Sequence, residues 1–219
     1  LNVTGTRNTA VGSDSLFNNT GSFNTAVGSN CLTANTSGAQ NVAVGDYALN
    51  HNTTASFNTA LGQGAMLENT TGSEHVAVGR DALQSNTTGH SSTAVGQLAL
   101  LSATTASDNT AIGCKSQRYT TTGANNISVG SNSLDANTTG SNNVAMGVHA
   151  LGANTTANNN TGVGFYALQY NTTGASNTGV GRNALRANTT ADANTAVGDL
   201  AMNSSTTGAN NVAIGAQAL

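Results

Sequence analysis

Apolar side chains recur in this chain at fixed phases of a 17-residue repeat, with polar residues between them in an equally fixed order. With a glycine counted as position zero (Gly12, Gly28, Gly45 and so on to Gly215), the unit reads G-x-x-A-L-x-x-N-T-T-G-x-x-N-T-A-V. Eleven of the twelve intervals between these glycines are 17 residues and the first is 16. Position 16 is always apolar, from Val11 and Val27 to Val197 and Ile214. Position 4 is Leu or Met in twelve of thirteen units, Gln117 being the exception. Position 14 alternates between Thr and Val or Ile, and position 15 is small.

Positions 14 and 16 therefore share one face of a short strand that ends at a glycine corner, with position 15 on the other face. The Ala-Leu pair at positions 3 and 4 supplies the opposing apolar surface, so Leu of position 4 and the apolar residue of position 16 are expected to form the core. No stretch sustains a 3.6-residue period, and Asn-Thr-Thr-Gly recurs too often for a helix. A unit this short cannot bury its apolar side alone, so the pattern predicts an all-β fold. The expected fold is a β-solenoid of about 13 coils, forming one repeat region over residues 1–219.

Of the 26 glycines, 22 lie at phases zero and ten, which predicts corners of positive φ or close coil-to-coil approach. Position 13 is Asn in eleven of thirteen units, with His75 and Ser92 the departures, and predicts a column of stacked amides. All fifteen charged side chains and all eight aromatics fall at positions 1, 2, 5, 6, 11 or 12, which marks these phases as the solvent-facing corners.

Leu, Ile, Val and Phe are sparse for a globular chain, yet a net charge of −3 is far from what disorder requires. Six Lys plus Arg are too few and too scattered to follow a nucleic-acid backbone. No apolar run is long enough to span a membrane and no signal peptide is visible. The chain lacks an initiator Met and begins inside a repeat, which reads as a fragment of a longer fibre. Cys31, where other units carry Ala or Ser, is expected to be a buried filler, and Cys114 an exposed thiol five repeats away, beyond disulfide reach.

Asn24 to Gly28, Asn58 to Gly62 and Asn194 to Gly198 resemble the Asn-Ser-Val-Ala-Ile-Gly motif of trimeric autotransporter adhesin heads, and Asn210 to Gly215 matches it most closely. The fuller unit, as in Asn171 to Gly181, is similar to the repeats of tail-fibre-like surface proteins. The resemblance covers the whole chain. It implies a left-handed parallel β-roll, three chains wound side by side, and an extracellular place on a cell or virion surface. Adhesin-head repeats are commonly shorter, so longer corners are expected here. The neck, stalk, anchor and chaperone domain that accompany such heads and fibres are not among these residues, and the choice between a surface adhesin and a phage fibre stays open.

The thin core, about two large apolar side chains per coil, points independently to chains associating along their length. Small Ala at position 3 or 15 would let a second surface approach closely. The number three comes from the resemblance.

His51, His75, His90 and His149 fall at four different phases, and no pair has metal-ligand spacing. Glu68 and Glu74 lie on different corners, and no nucleophile motif or phosphate loop occurs. The chain is expected to be no enzyme, with neither cofactor nor metal. Asn-Thr-Thr or Asn-Thr-Ser recurs eight times, and each is formally an N-glycosylation sequon.

The leading expectation is a structural, adhesive fibre segment that binds through its variable corners a glycan or protein receptor of a host or cell surface. The candidate binding residues are Phe165, Tyr166, Tyr170, Arg182 and Arg186, an aromatic and Arg cluster on adjacent coils. Two alternatives stand beside it. The Thr columns at positions 8 and 9 suggest an ice-binding solenoid, although strand alternation would turn only one Thr per coil outward. Uncapped coil ends suggest a subunit of a filament assembled end to end.

Overall fold

The computed structural model describes residues 4–219. These residues form thirteen strands of three residues each, joined by turns and bends, and the strands pair in parallel as a β-solenoid. The chain divides into two compact units, one ending at Asn109 and one beginning at Thr110. The first holds β1 (Thr9–Val11), β2 (Thr25–Val27), β3 (Val42–Val44), β4 (Thr59–Leu61), β5 (Val76–Val78) and β6 (Thr93–Val95). The second holds β7 (Thr110–Ile112), β8 (Ile127–Val129), β9 (Val144–Met146), β10 (Thr161–Val163), β11 (Thr178–Val180), β12 (Thr195–Val197) and β13 (Val212–Ile214).

Within each unit every strand pairs with the next in sequence, and phase matches phase: Thr25 faces Val42, Ala26 faces Ala43 and Val27 faces Val44. Hydrogen bonds between coils continue around the corners. Leu32 N–H donates to Ala48 O at 3.1 Å, Thr36 N–H to Thr53 O at 2.9 Å and Gln40 N–H to Ser22 O at 3.1 Å. Backbone pairing is thus largely a coil-to-coil matter, as a solenoid requires.

The interior corrects the expected orientation of the strand. Position 15, not positions 14 and 16, points inward: Ala43, Ala60, Ala145 and Ala196 are fully buried, while Val44, Leu61, Ile112 and Met146 are exposed. The reason is width. Leu of position 4 already fills the coil, and a β-carbon built on Gly162 or Gly179, both at position 15, would stand 3.2 Å from Cγ of Leu151 or Leu168. A methyl group is all the strand can insert beside that leucine. Ala of position 3 is also buried, so neither alanine column is available to a second chain.

Leu of position 4 sits there in a conformation its side chain does not announce. Leu49, Leu134 and Leu168 have φ of 51°, 51° and 52°. Positions 2 and 12 are left-handed as well, as at Tyr47 (57°) and Phe57 (63°). Such φ values carry a steric cost for residues with a β-carbon, and neighbouring structure must hold them. At position zero even a methyl is excluded: at Gly164 (φ 136°) a β-carbon would meet Gly181 O at 2.4 Å.

The other half of the interior is amide. Asn of position 13 is buried in the coils from Asn24 to Asn194, and Asn of position 7 is buried as well, a second column that the repeat pattern did not assign. Asn41 Nδ2 donates to Ala55 O of the next coil at 2.9 Å, and its Oδ1 accepts the backbone N–H of Asn58 at 3.0 Å. Asn52 Nδ2 donates to Asn35 Oδ1 at 2.7 Å and to Ala55 O at 3.1 Å. The two columns therefore converge on the carbonyl of position 10. Satisfied buried networks of this kind specify register, because a slipped coil would strand every amide.

The Leu column breaks once, at Gln117, which is fully buried. Its Nε2 donates to Thr110 O and to Ser128 Oγ, each at 3.0 Å. Serines replace the usual alanines around it: Ser116 Oγ bonds Ser128 Oγ, and Ser133 Oγ at 3.1 Å. The short first coil also has a definite defect. Thr20 N–H and Gly21 N–H both donate to Thr36 O, and a β-carbon on Gly21 would press on Gly38 O, so the residue missing from that coil is the one of position 9.

Candidate binding faces

With positions 3, 4, 7, 10, 13 and 15 turned inward, the outward phases form three faces besides the charged corner of positions 11 and 12. None of the fifteen charged residues is buried, in keeping with the corner phases read from the sequence.

The sheet face carries positions 14 and 16. In the first unit it presents Val42, Val44, Leu61 and Val76, and in the second Ile112, Ile127, Met146 and Val197, each 36–44% exposed. Thr residues alternate with these at position 14, and no charge stands on either row. The result in each unit is a charge-free ribbon facing solvent, with an apolar row at position 16 beside a mixed row of Thr and Val or Ile at position 14.

The second face carries positions 8 and 9. Thr of position 8 is half-buried, and its hydroxyl continues the ladder: Thr53 Oγ1 donates to Thr70 O at 3.0 Å and Thr155 Oγ1 to Thr172 O at 3.1 Å. Thr of position 9, as at Thr54, Thr71, Thr156 and Thr173, is exposed. Both threonines lie outside the coil, because the backbone there bends rather than running as a strand. Of the two, the threonine of position 9 is the one exposed throughout, while that of position 8 spends its hydroxyl on the ladder. The eight sequons read differently too. The acceptor amides, such as Asn52, Asn137 and Asn171, are fully buried and already donate within the ladder, so the folded chain offers no glycosylation site at them.

The third face carries positions 1, 2, 5 and 6, where the candidate residues lie. Phe165 and Tyr166 meet in a tilted arrangement, ring centroids 3.9 Å apart and planes at 55°, and His149 of the preceding coil approaches Tyr166 at 5.4 Å. The Arg186 guanidinium lies 5.2 Å from the Tyr166 ring centre and 5.3 Å from that of Tyr170. Arg186 Nε donates to Gln169 Oε1 at 2.9 Å, and Nη2 to the Tyr170 hydroxyl at 3.3 Å. Arg182 turns the other way, its Nη2 pairing with Asp199 Oδ2 of the next coil at 2.8 Å. The structure thus brings Phe165, Tyr166, Tyr170 and Arg186 together and assigns Arg182 to an exposed ion pair. Gln169 and His149 complete the cluster. Only the column rule, same phase on neighbouring coils, could have found them.

Burial raises the pKa of the Cys31 thiol, and Cys31 Sγ lies against Gly45 O, a filler's environment. Cys114 is an exposed free thiol. Among the described residues no group of three or more His, Cys, Asp or Glu is placed to hold a metal ion, and no helix is long and apolar enough to cross a membrane.

Compared with protein-family models, curated proteins and solved structures, the chain matches none. What it is rests on its own geometry: a parallel β-solenoid with a 17-residue repeat.

Proposed function

We propose that this chain is a segment of a structural, adhesive fibre displayed on a cell or virion surface, in which three copies associate side by side through their sheet faces. The observation that carries the reading is the charge-free sheet face, with its apolar row at position 16 and Thr, Val or Ile at position 14. Contiguous apolar surface is seldom left in water, and regularly spaced Val, Ile and Leu on parallel strands suit packing against a copy of themselves. The small alanines of positions 3 and 15 are spent inside the coil. The resemblance of the strand motif to adhesin heads supplies the number three and the surface location. Recognition then falls to the third face, where side chains vary from coil to coil while the inward columns stay fixed.

Light scattering on a sizing column tests this. A mass three times 21.6 kDa is the expected result. A monomer at micromolar concentration overturns lateral association, and an open-ended distribution favours the filament. Val44→Lys with Met146→Lys, one change per unit, should lower the mass to that of single chains while leaving the β-sheet circular dichroism unchanged.

A second reading is favoured by the placement of both threonines of positions 8 and 9 outside the coil. A charge-free array of Thr pairs repeating at about the 4.8 Å coil spacing is a surface on which water can be ordered. Thermal hysteresis of the purified chain tests it, and freezing-point behaviour equal to that of an inert protein of the same mass removes it.

A further inference from the structure

Arg186 is held differently from the ion-paired arginines of the chain. Arg80, Arg118 and Arg182 each have an aspartate oxygen within 3.5 Å, from Asp81, Asp135 and Asp199. Among the described residues Arg186 has no acid at ion-pair distance. It lies over the rings of Tyr166 and Tyr170, with Gln169 Oε1 and the Tyr170 hydroxyl fixing the guanidinium plane. Two of its five N–H bonds are used in this way, which leaves three. A half-buried guanidinium, oriented in advance and lacking a counter-ion, is a receptor for a planar anion such as a carboxylate.

What lies beside the cation narrows the ligand. Tyr170 and Phe165 are each 46% exposed. The same-phase neighbours of Tyr170 are Ala153 and Ala187, and that of Gln169 in the preceding coil is Gly152. These small residues leave the tyrosine ring standing clear of its column. An aromatic face carries negative charge density and attracts the weakly positive C–H bonds of a pyranose ring, while its apolar area is removed from water. A carboxylate receptor beside such a platform matches a sugar that carries its own carboxylate. A nucleic acid would require several cations along its backbone, and this cluster provides one that is not already paired. A neutral sugar would leave the guanidinium without an anion.

We propose that the corner formed by Tyr166, Tyr170 and Arg186, flanked by Phe165, is a binding site for an acidic saccharide of the uronic-acid type. Arg186 takes the carboxylate, and Tyr170 and Phe165 carry the pyranose C–H face. This deepens the adhesive-fibre reading and rests on it for biological meaning, but the site lies within the second unit and is assayed independently of assembly.

The test is a titration of the whole chain with trigalacturonate, and in parallel with the neutral galactotriose, followed by tyrosine ring resonances and by calorimetry. Saturable binding of the acid sugar with shifts at Tyr166 and Tyr170 is expected, weakened at least about tenfold by Arg186→Gln and also by Tyr170→Ala. Arg182→Gln, which touches only the neighbouring ion pair, should bind as the unaltered chain does. Equal affinity for both sugars, unchanged binding by Arg186→Gln, or no binding by the unaltered chain each overturns the proposal. Light scattering on the same samples separates the two readings. A trimer that ignores the acid sugar refutes the site and leaves the fibre standing, whereas a monomer that binds it does the reverse.

Discussion

His75 Nδ1 accepts the backbone N–H of Ser92 at 3.0 Å, the bond that Asn58 Oδ1 makes with the N–H of His75 itself one coil earlier. The imidazole also copies the other half of the amide, since its Nε2 meets Gly89 O at 2.6 Å as Asn58 Nδ2 meets Gly72 O at 3.0 Å. Only the neutral tautomer with the proton on Nε2 satisfies both partners.

Acid should therefore loosen the first unit at this point. Burial is the main reason that the His75 pKa lies below the ordinary 6.5. Above 6.5 both folded and unfolded chains hold the ring neutral, and the histidine adds no pH dependence. As pH falls below 6.5 the unfolded chain takes up a proton that the folded chain refuses, so stability drops until the lowered folded pKa is passed. Thermal melts between pH 7.5 and 5 should show this decline, and His75→Asn should flatten it. An equally steep decline in the Asn variant would assign the effect elsewhere.

Two amides are left without a donor where their column is interrupted. Asn86 Oδ1 and Asn188 Oδ1 are buried without partners, and the next residues of position 7 are Ala103 and Ser205 rather than Asn. Ala103→Asn should supply the missing donor to Asn86 and raise stability by about 1 kcal/mol. The opposite change, Asn171→Ala in an intact stretch, should cost about 1–3 kcal/mol by orphaning its neighbours. Denaturant melts of both variants decide the matter, and a destabilised Ala103→Asn would mean that the column has no room there.

Two glycines only two residues apart, Gly162 and Gly164, should respond in opposite ways to one added methyl. At Gly164 the φ of 136° and the Gly181 carbonyl 2.4 Å from a β-carbon admit no small adjustment, and Gly164→Ala should cost about 2–4 kcal/mol. Gly162 stands where other coils carry Ala, with Leu151 Cγ at 3.2 Å as its nearest neighbour, and Gly162→Ala should stay within about 1 kcal/mol of the parent. Comparable losses at both sites would contradict the inward packing of position 15.

Gln117 and Ser128 should behave as a coupled pair. Gln117→Leu alone removes the donor to Thr110 O and Ser128 Oγ, and Ser128→Ala alone strips a partner from Gln117 and Ser116. The double variant restores Leu at position 4 and Ala at position 15, leaving Ser116 and Ser133 to bond each other. It should cost less than the two single changes together, with an interaction of about 1 kcal/mol or more in a double-mutant cycle. Strict additivity would show that the cluster is not a unit.

The period, the strand positions and the charged corners were legible in the sequence, because strand pairing in register demands the same residue type at the same phase in every coil. The inward face of the strand was not. Alternation shows that positions 14 and 16 lie opposite 15, but it does not say which side is interior, and apolar Val looked the better core residue than Ala. What decided it was the space left by Leu49 and its counterparts, held in a left-handed conformation that leucine rarely adopts and that no residue preference reveals. The Asn column of position 7 was hidden in a segment that reads as a turn. Phe165, Tyr166, Tyr170 and Arg186 were recognisable as a cluster from their phases, yet the turning of Arg182 toward Asp199 depends on an acid one coil further on.

The first coil dispenses with the exposed threonine and still stacks on the second through the Thr36 carbonyl. That corner is therefore where the chain can be edited. A residue lost there disturbs neither amide column nor the leucine row, and residues gained there would emerge into solvent between two fixed anchor points. New loops, tags or recognition elements have a ready port of entry in every coil at position 9, and the stack beneath them has no need to know what they are.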